Sequence, residues 1–193
     1  MIRREQAAKA IRAVTVPPVM VLALLLILFF RDRGIFAGSQ ELLLSILFLT
    51  LIPLLAYPLA HLLPKHKSAV REGQRNLALV LNLICYAGAV LYGLARGVSR
   101  GLSLIFLVYF LSVLILILLN KVIGIRASGH ACSLVGPMLL FVYFIGGIAI
   151  LPCVLLFGAI LWSSLTLKRH TLKELLYGSL TALFAFFLCL MVK

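Results

Sequence analysis

Long apolar runs broken by short polar stretches set the rhythm of the whole chain. A hydrocarbon core about 30 Å thick takes roughly 20 residues of helix. Apolar runs of about that length cover residues 13–30, 42–63, 77–95, 102–120 and 172–192, and one continuous run of 37 residues covers 131–167. The last is too long for a single crossing. Gly146-Gly147 and Pro152 mark a turn within it, which splits it into two tightly connected helices. Pro53 and Pro58 fall inside the second run and predict a kinked helix, tolerated where neighbouring helices cover the freed carbonyls. The pattern therefore predicts an all-α fold, a polytopic membrane helix bundle of six to seven transmembrane helices.

Composition supports that class and excludes others. Of 193 residues, 64% are hydrophobic and only 12% charged, far too apolar for a soluble domain of this size. The polar stretches are all short, so residues 1–193 form one integral membrane domain. The net charge of +13 would suggest nucleic acid in a soluble protein. Here the bases flank apolar runs, which points instead to bilayer orientation and to anionic headgroups or phosphate, with no nucleic-acid partner. The four cysteines lie in apolar runs without paired spacing and read as small buried hydrophobes. Residues 1–15 carry Arg3, Arg4, Lys9 and Arg12, as a basic helix on the membrane surface or a solvated tail. The run after them ends in Arg31-Asp32-Arg33 and not in a small-residue cleavage site, so it is expected to be retained as a membrane helix.

With seven crossings, residues 1–15, 64–76, 121–130 and 168–173 share one side and hold thirteen of the eighteen Lys and Arg. The positive-inside rule places that side, with the N-terminus, in the cytoplasm, which fits a multi-pass protein of the cell membrane. The same count lets the three interior basic segments converge.

Chemistry in so apolar a chain belongs at helix ends. His170 and Glu174 are four apart at the start of the last helix, hence on one face. A carboxylate there fixes the imidazole tautomer and leaves the other ring nitrogen free as nucleophile or base. The bland reading is an ordinary interfacial His–Glu pair. Upstream, Ser128 and Gly129 precede an apolar run and offer backbone N–H groups, a hydroxyl and a helix dipole to an anion. His130 lies beside that point, where an imidazolium can protonate a leaving oxygen; the bland reading is a helix cap with an incidental histidine.

Together the two segments resemble the type 2 phosphatidic acid phosphatase (PAP2) superfamily of membrane lipid phosphatases. Ala127-Ser128-Gly129-His130 is similar to that family's Pro-Ser-Gly-His motif. Ser163-Ser164, five residues, His170, three residues and Glu174 keep the spacing of its Ser-Arg…His…Asp motif, with Trp162 and Gly178 where members often carry Trp and Gly. The resemblance covers residues 64–180. It implies that His170 is a nucleophile forming a phosphohistidine, that Glu174 orients it, and that His130 is the general acid. It further implies that Ser128 and Gly129 hold phosphate oxygens. The loop 64–76 is the counterpart of the family's first basic motif, with Lys65, Arg71 and Arg75 as phosphate clamps, although the motif's own spacing is absent. Ser164 stands where the family has arginine, a bidentate donor that serine cannot imitate. Lys168, Arg169 and Arg126 are candidates to supply that charge. No cofactor or metal is implied.

The activity expected from the resemblance is phosphatase action on a phosphorylated lipid or isoprenoid, phosphate or pyrophosphate, whose tail stays in the bilayer. The alternative is a catalytically degenerate PAP2-like protein that binds lipid headgroups or serves in a membrane complex. A transporter has less support, because the spans carry no central ionisable residue apart from His61 near a helix end.

Overall fold

The computed structural model of the chain describes residues 2–60 and 67–192. All regular structure among these residues is helical. The elements are α1 (Ile2–Val14), α2 (Pro17–Arg31), α3 (Ser39–Ile46), α4 (Ile52–Leu54), α5 (Ala56–Ala60), α6 (Lys67–Arg96), α7 (Arg100–Ile117), α8 (Gly129–Ile145), α9 (Ile150–Thr166) and α10 (Leu172–Val192).

Each predicted apolar run contains helix, but the runs differ in reach. Among the described residues four helical stretches, Arg75–Arg96, Arg100–Ile123, Gly147–Thr166 and Leu172–Met191, are long and apolar enough to cross a bilayer, and α1 with α2 makes a fifth if that pair, bent by 50°, counts as one span. The stretches Ser39–Leu54 and Gly129–Ile145 are apolar but shorter. The second run accommodates Pro53, which has no N–H, with a π turn over Leu47–Leu51 before α4. It falls short because the helix stops at Leu55, one turn before Pro58, which has no N–H to give the Leu54 carbonyl. Another difference concerns residues 67–76, expected as loop. They form the first turns of α6, a helix that runs on past the apolar stretch. Hydropathy reports which part of a helix meets lipid, and says little about where the helix begins.

The turn expected at Gly146-Gly147 is present. Gly146 caps α8 with φ 88°, a left-handed value that glycine adopts without cost, and a 3-10 turn leads into α9. α10 packs on α8 and α7, α6 on α7, α2 on α8, and α1 lies along α9. Leu24, Leu102, Ile105, Phe106 and Leu140 are sealed in the shared core. Large apolar side chains remain outside it, among them Leu151, Val154, Leu155, Phe184 and Met191. That extent of exposed apolar surface suits lipid and would be untenable in water.

Candidate functional site

Two backbone observations join the polar segments. The Ser128 N–H donates to the Glu174 carbonyl at 2.9 Å, and Gly178 lies so close that a Cβ there would sit 2.2 Å from the Ser128 carbonyl oxygen. Only glycine lets the first turns of α10 touch the start of α8. Ser128 caps α8, its Oγ accepting from the Ala131 N–H at 3.2 Å, and is itself buried.

Just before α10, His170 Nδ1 lies 3.2 Å from Glu174 Oε2. The same carboxylate oxygen accepts from the Thr171 N–H at 3.3 Å, and Thr171 Oγ1 accepts from the Glu174 N–H at 3.2 Å. Thr171 and Glu174 thus form a capping box, a Thr-x-x-Glu signature legible in the sequence. Glu174 fixes the helix start and the imidazole together. With Nδ1–H directed at the carboxylate, Nε2 is the nitrogen left for chemistry.

The segment before α8 is braced from two other helices. α7 continues as a π turn over Leu118–Ile123, ended by Gly124 at φ 80°. Asn120 in that turn accepts from the Ala127 N–H at 3.1 Å, and its amide donates to the carbonyls of Leu116 at 2.8 Å and Ala127 at 3.3 Å. Arg75 of α6 donates to Asn120 Oδ1 and, at 3.0 Å, to the Ala127 carbonyl.

These elements surround a cavity of about 510 Å³. One end is polar: Arg75 and Asn120 stand on one side, Gly129 and His130 on another, and Lys168, Arg169 and His170 close it with Arg12 of α1. Among the described residues no Asp or Glu lines it. Away from that end the walls are mainly apolar, with Val21, Leu49, Val108 and Val113, and are interrupted by Asn82, Ser112 and Ser133. Tyr86 and Tyr109 line the cavity eleven residues along α6 and α7 from Arg75 and Asn120, about 16 Å at the helical rise. A basic end on an apolar slot suits an amphiphile carrying an anion.

Burial pushes His130 down to about 4, with the Arg12 and His170 charges adding to the effect. His170 is also lowered, first by burial. The hydrogen bond and charge of Glu174 pull it back up, and the guanidinium groups of Arg12 and Arg75 oppose that. The downward causes win, so both imidazoles are neutral near pH 7 in the ligand-free protein.

Of the residues singled out from the sequence, Gly129, His130, Arg75, Lys168, Arg169 and His170 line this one cavity. Glu174 stands behind His170. Ser128 lies outside the lining, with its hydroxyl committed to the α8 cap. Arg126 is exposed and also outside it. Arg71 is on α6, one turn before Arg75, with a side chain outside the described residues, and Lys65 lies outside them altogether. Ser163 and Ser164 are buried, Ser163 against α1, and neither lines the cavity. Sequence reasoning missed Arg12 and Asn120. Asn120 had one signal, an amide at the end of an apolar run. Arg12 had none beyond its charge. Among the described residues no three His, Cys, Asp or Glu side chains gather as a metal site.

Comparison with protein-family models, curated proteins and solved structures finds no match. Function has to be argued from the cavity.

Proposed function

We propose that the chain is a membrane-embedded phosphatase of phosphorylated lipids or prenyl phosphates and diphosphates, a divergent member of the PAP2 superfamily with a membrane core of six to seven helices and its basic end in the cytoplasm. The observation that carries this reading is the pairing in one cavity of a carboxylate-oriented histidine and a second histidine, ringed by cations and open to an apolar slot.

In this reading the phosphate sits among Arg75, Lys168 and Arg169 with its tail along the apolar walls. His170 Nε2 attacks phosphorus as the bond to the leaving oxygen breaks, forming a phosphohistidine, and Glu174 stabilises the charge that develops on the ring. The leaving oxygen takes its proton from His130. Water then attacks the phosphohistidine, His130 accepts the water's proton, and phosphate departs. A dianion beside His130 offsets the burial and the Arg12 charge that keep the ring neutral when the site is empty. Phosphate binding is therefore coupled to proton uptake, and affinity falls as pH rises from about 4 towards the higher pKa of the complex.

A second reading, a headgroup-binding protein without turnover, is favoured by one observation: Glu174 is already explained by the capping box. Phosphate release from phosphatidate, phosphatidylglycerophosphate and prenyl diphosphates separates the two. The purified protein is assayed in detergent with chelator present, and His170→Ala and His130→Ala serve as controls. The phosphatase reading expects release by the wild type and its loss in both variants. Release that survives both substitutions sinks the site, and no release from any substrate favours the binder.

A further inference from the structure

The N-terminal helix is tied to the cavity by a long-range contact. α1 lies along α9, where Ala8 is fully buried and Ser163 Oγ donates to the Ala8 carbonyl at 2.6 Å. Ser163 is only 1% exposed, and its small side chain lets the two helices approach closely enough for a hydroxyl to reach backbone. Arg12 follows Ala8 by four residues, so it lies on the same face one turn on, and that turn is the one over the basic end of the cavity. The far end of α1 is fixed as well. Thr15 Oγ1 donates to the Ile11 carbonyl at 2.8 Å, and the chain bends by 50° into Pro17-Pro18 at the start of α2. Arg4 and Lys9 point to solvent, whereas Arg12 is partly buried.

We propose that α1 is a strap fastened to α9 through Ser163 and that its Arg12 is a phosphate-binding residue, completing the anion site with Arg75. The identity of the substrate bearing that phosphate rests on the phosphatase reading; the anion site itself rests on the geometry. An arginine suits the position, because its planar fork binds two phosphate oxygens at once and keeps its charge when partly buried. Arg12 is also near enough to lower the pKa of both histidines, which places its charge where a phosphate touching them would sit. The Ser163 contact then has a function, since losing it would let the guanidinium drift from the site without unfolding the bundle.

The test is binding of inorganic phosphate to the full chain in detergent, followed as a rise in melting temperature during titration. The comparison is among wild type, Arg12→Gln, Arg12→Lys and Ser163→Ala. Phosphate should stabilise the wild type. Arg12→Gln should weaken binding at least about tenfold, Arg12→Lys should fall between the two, and Ser163→Ala should weaken it by a few-fold. In ligand-free protein, Arg12→Gln should also raise the His130 titration midpoint seen by NMR, a change that a merely structural arginine would not produce. Should Arg12→Gln fail to fold, the Arg12→Lys and Ser163→Ala titrations carry the test. Wild-type phosphate affinity in all three variants, or no phosphate binding by the wild type, overturns the proposal. If phosphate binds through Arg12 while no lipid phosphate is hydrolysed, the phosphatase reading fails and the anion site stands.

Discussion

Gly178→Ala should separate the two halves of the site. The added methyl carbon would stand 2.2 Å from the Ser128 carbonyl oxygen and 3.1 Å from the Ala131 Cβ. Carbon–oxygen contacts settle at about 3.3 Å or more, so α8 and α10 must part by roughly 1 Å. Neither side can yield by rotating a side chain, because the obstacle is backbone. Overpacking of this kind costs about 1–3 kcal/mol, and weakening the bond from the Ser128 N–H to the Glu174 carbonyl adds about 1 kcal/mol. Catalysis should suffer as well, since a 1 Å misplacement of reacting groups can cost about a hundredfold. Thermal unfolding in detergent and phosphate release from a lipid phosphate measure the two effects. Gly158→Ala is the control: it is an exposed helical glycine with open space around its Cβ position, and it should keep activity and leave stability equal or higher. Wild-type melting and turnover in Gly178→Ala would show that the close approach of α8 and α10 does not hold the site together.

Protonation of His130 should be visible in stability. Its folded pKa of about 4 lies below the ordinary 6.5, so the folded state binds fewer protons. The stabilisation is complete above pH 6.5 and is lost as pH falls towards 4, by about 3 kcal/mol in all. Melting scans across that window should be flatter in His130→Gln, and coincident profiles would refute the shift. Thr171→Ala removes half of the capping box and should cost about 1 kcal/mol with little change in turnover. Glu174→Gln keeps a capping amide but removes the charge facing His170, so it should spare stability and cut turnover about a hundredfold; equal effects of the two substitutions on turnover would leave Glu174 a cap and nothing more. Asn120→Ala strips partners from the Ala127 N–H and from Arg75 and should lower stability by about 2 kcal/mol by thermal unfolding.

What could be read from the sequence was the part written in local pattern. The apolar runs mark the helices, Gly146-Gly147 marks the turn between α8 and α9, and the His170–Glu174 spacing gives the side-chain pair. Arg75, His130 and His170 were singled out from three separate polar segments, and all three line one cavity. The limits were equally physical. Residues 67–76 read as loop because they are polar, yet backbone hydrogen bonding continues α6 through them. Arg12 read as a surface charge because its placement depends on a contact between Ala8 and Ser163, 155 residues apart. Asn120 acquires its importance only when the π turn of α7 meets Arg75 and Ala127. Ser163 read as part of a phosphate motif; in the fold its hydroxyl holds α1 at Ala8.

The central claim, that His170 is the nucleophile of a phosphatase, is tested most directly by trapping the intermediate. The wild-type protein is mixed with a lipid phosphate labelled at phosphorus, quenched in base within the first turnover, and mapped by mass spectrometry. The account predicts one phosphoryl group, stable in base and labile in acid, on the peptide containing His170, and none in His170→Ala. Phosphate release by the wild type at an undiminished rate in His170→Ala, or a phosphoryl group on any other residue, would contradict it.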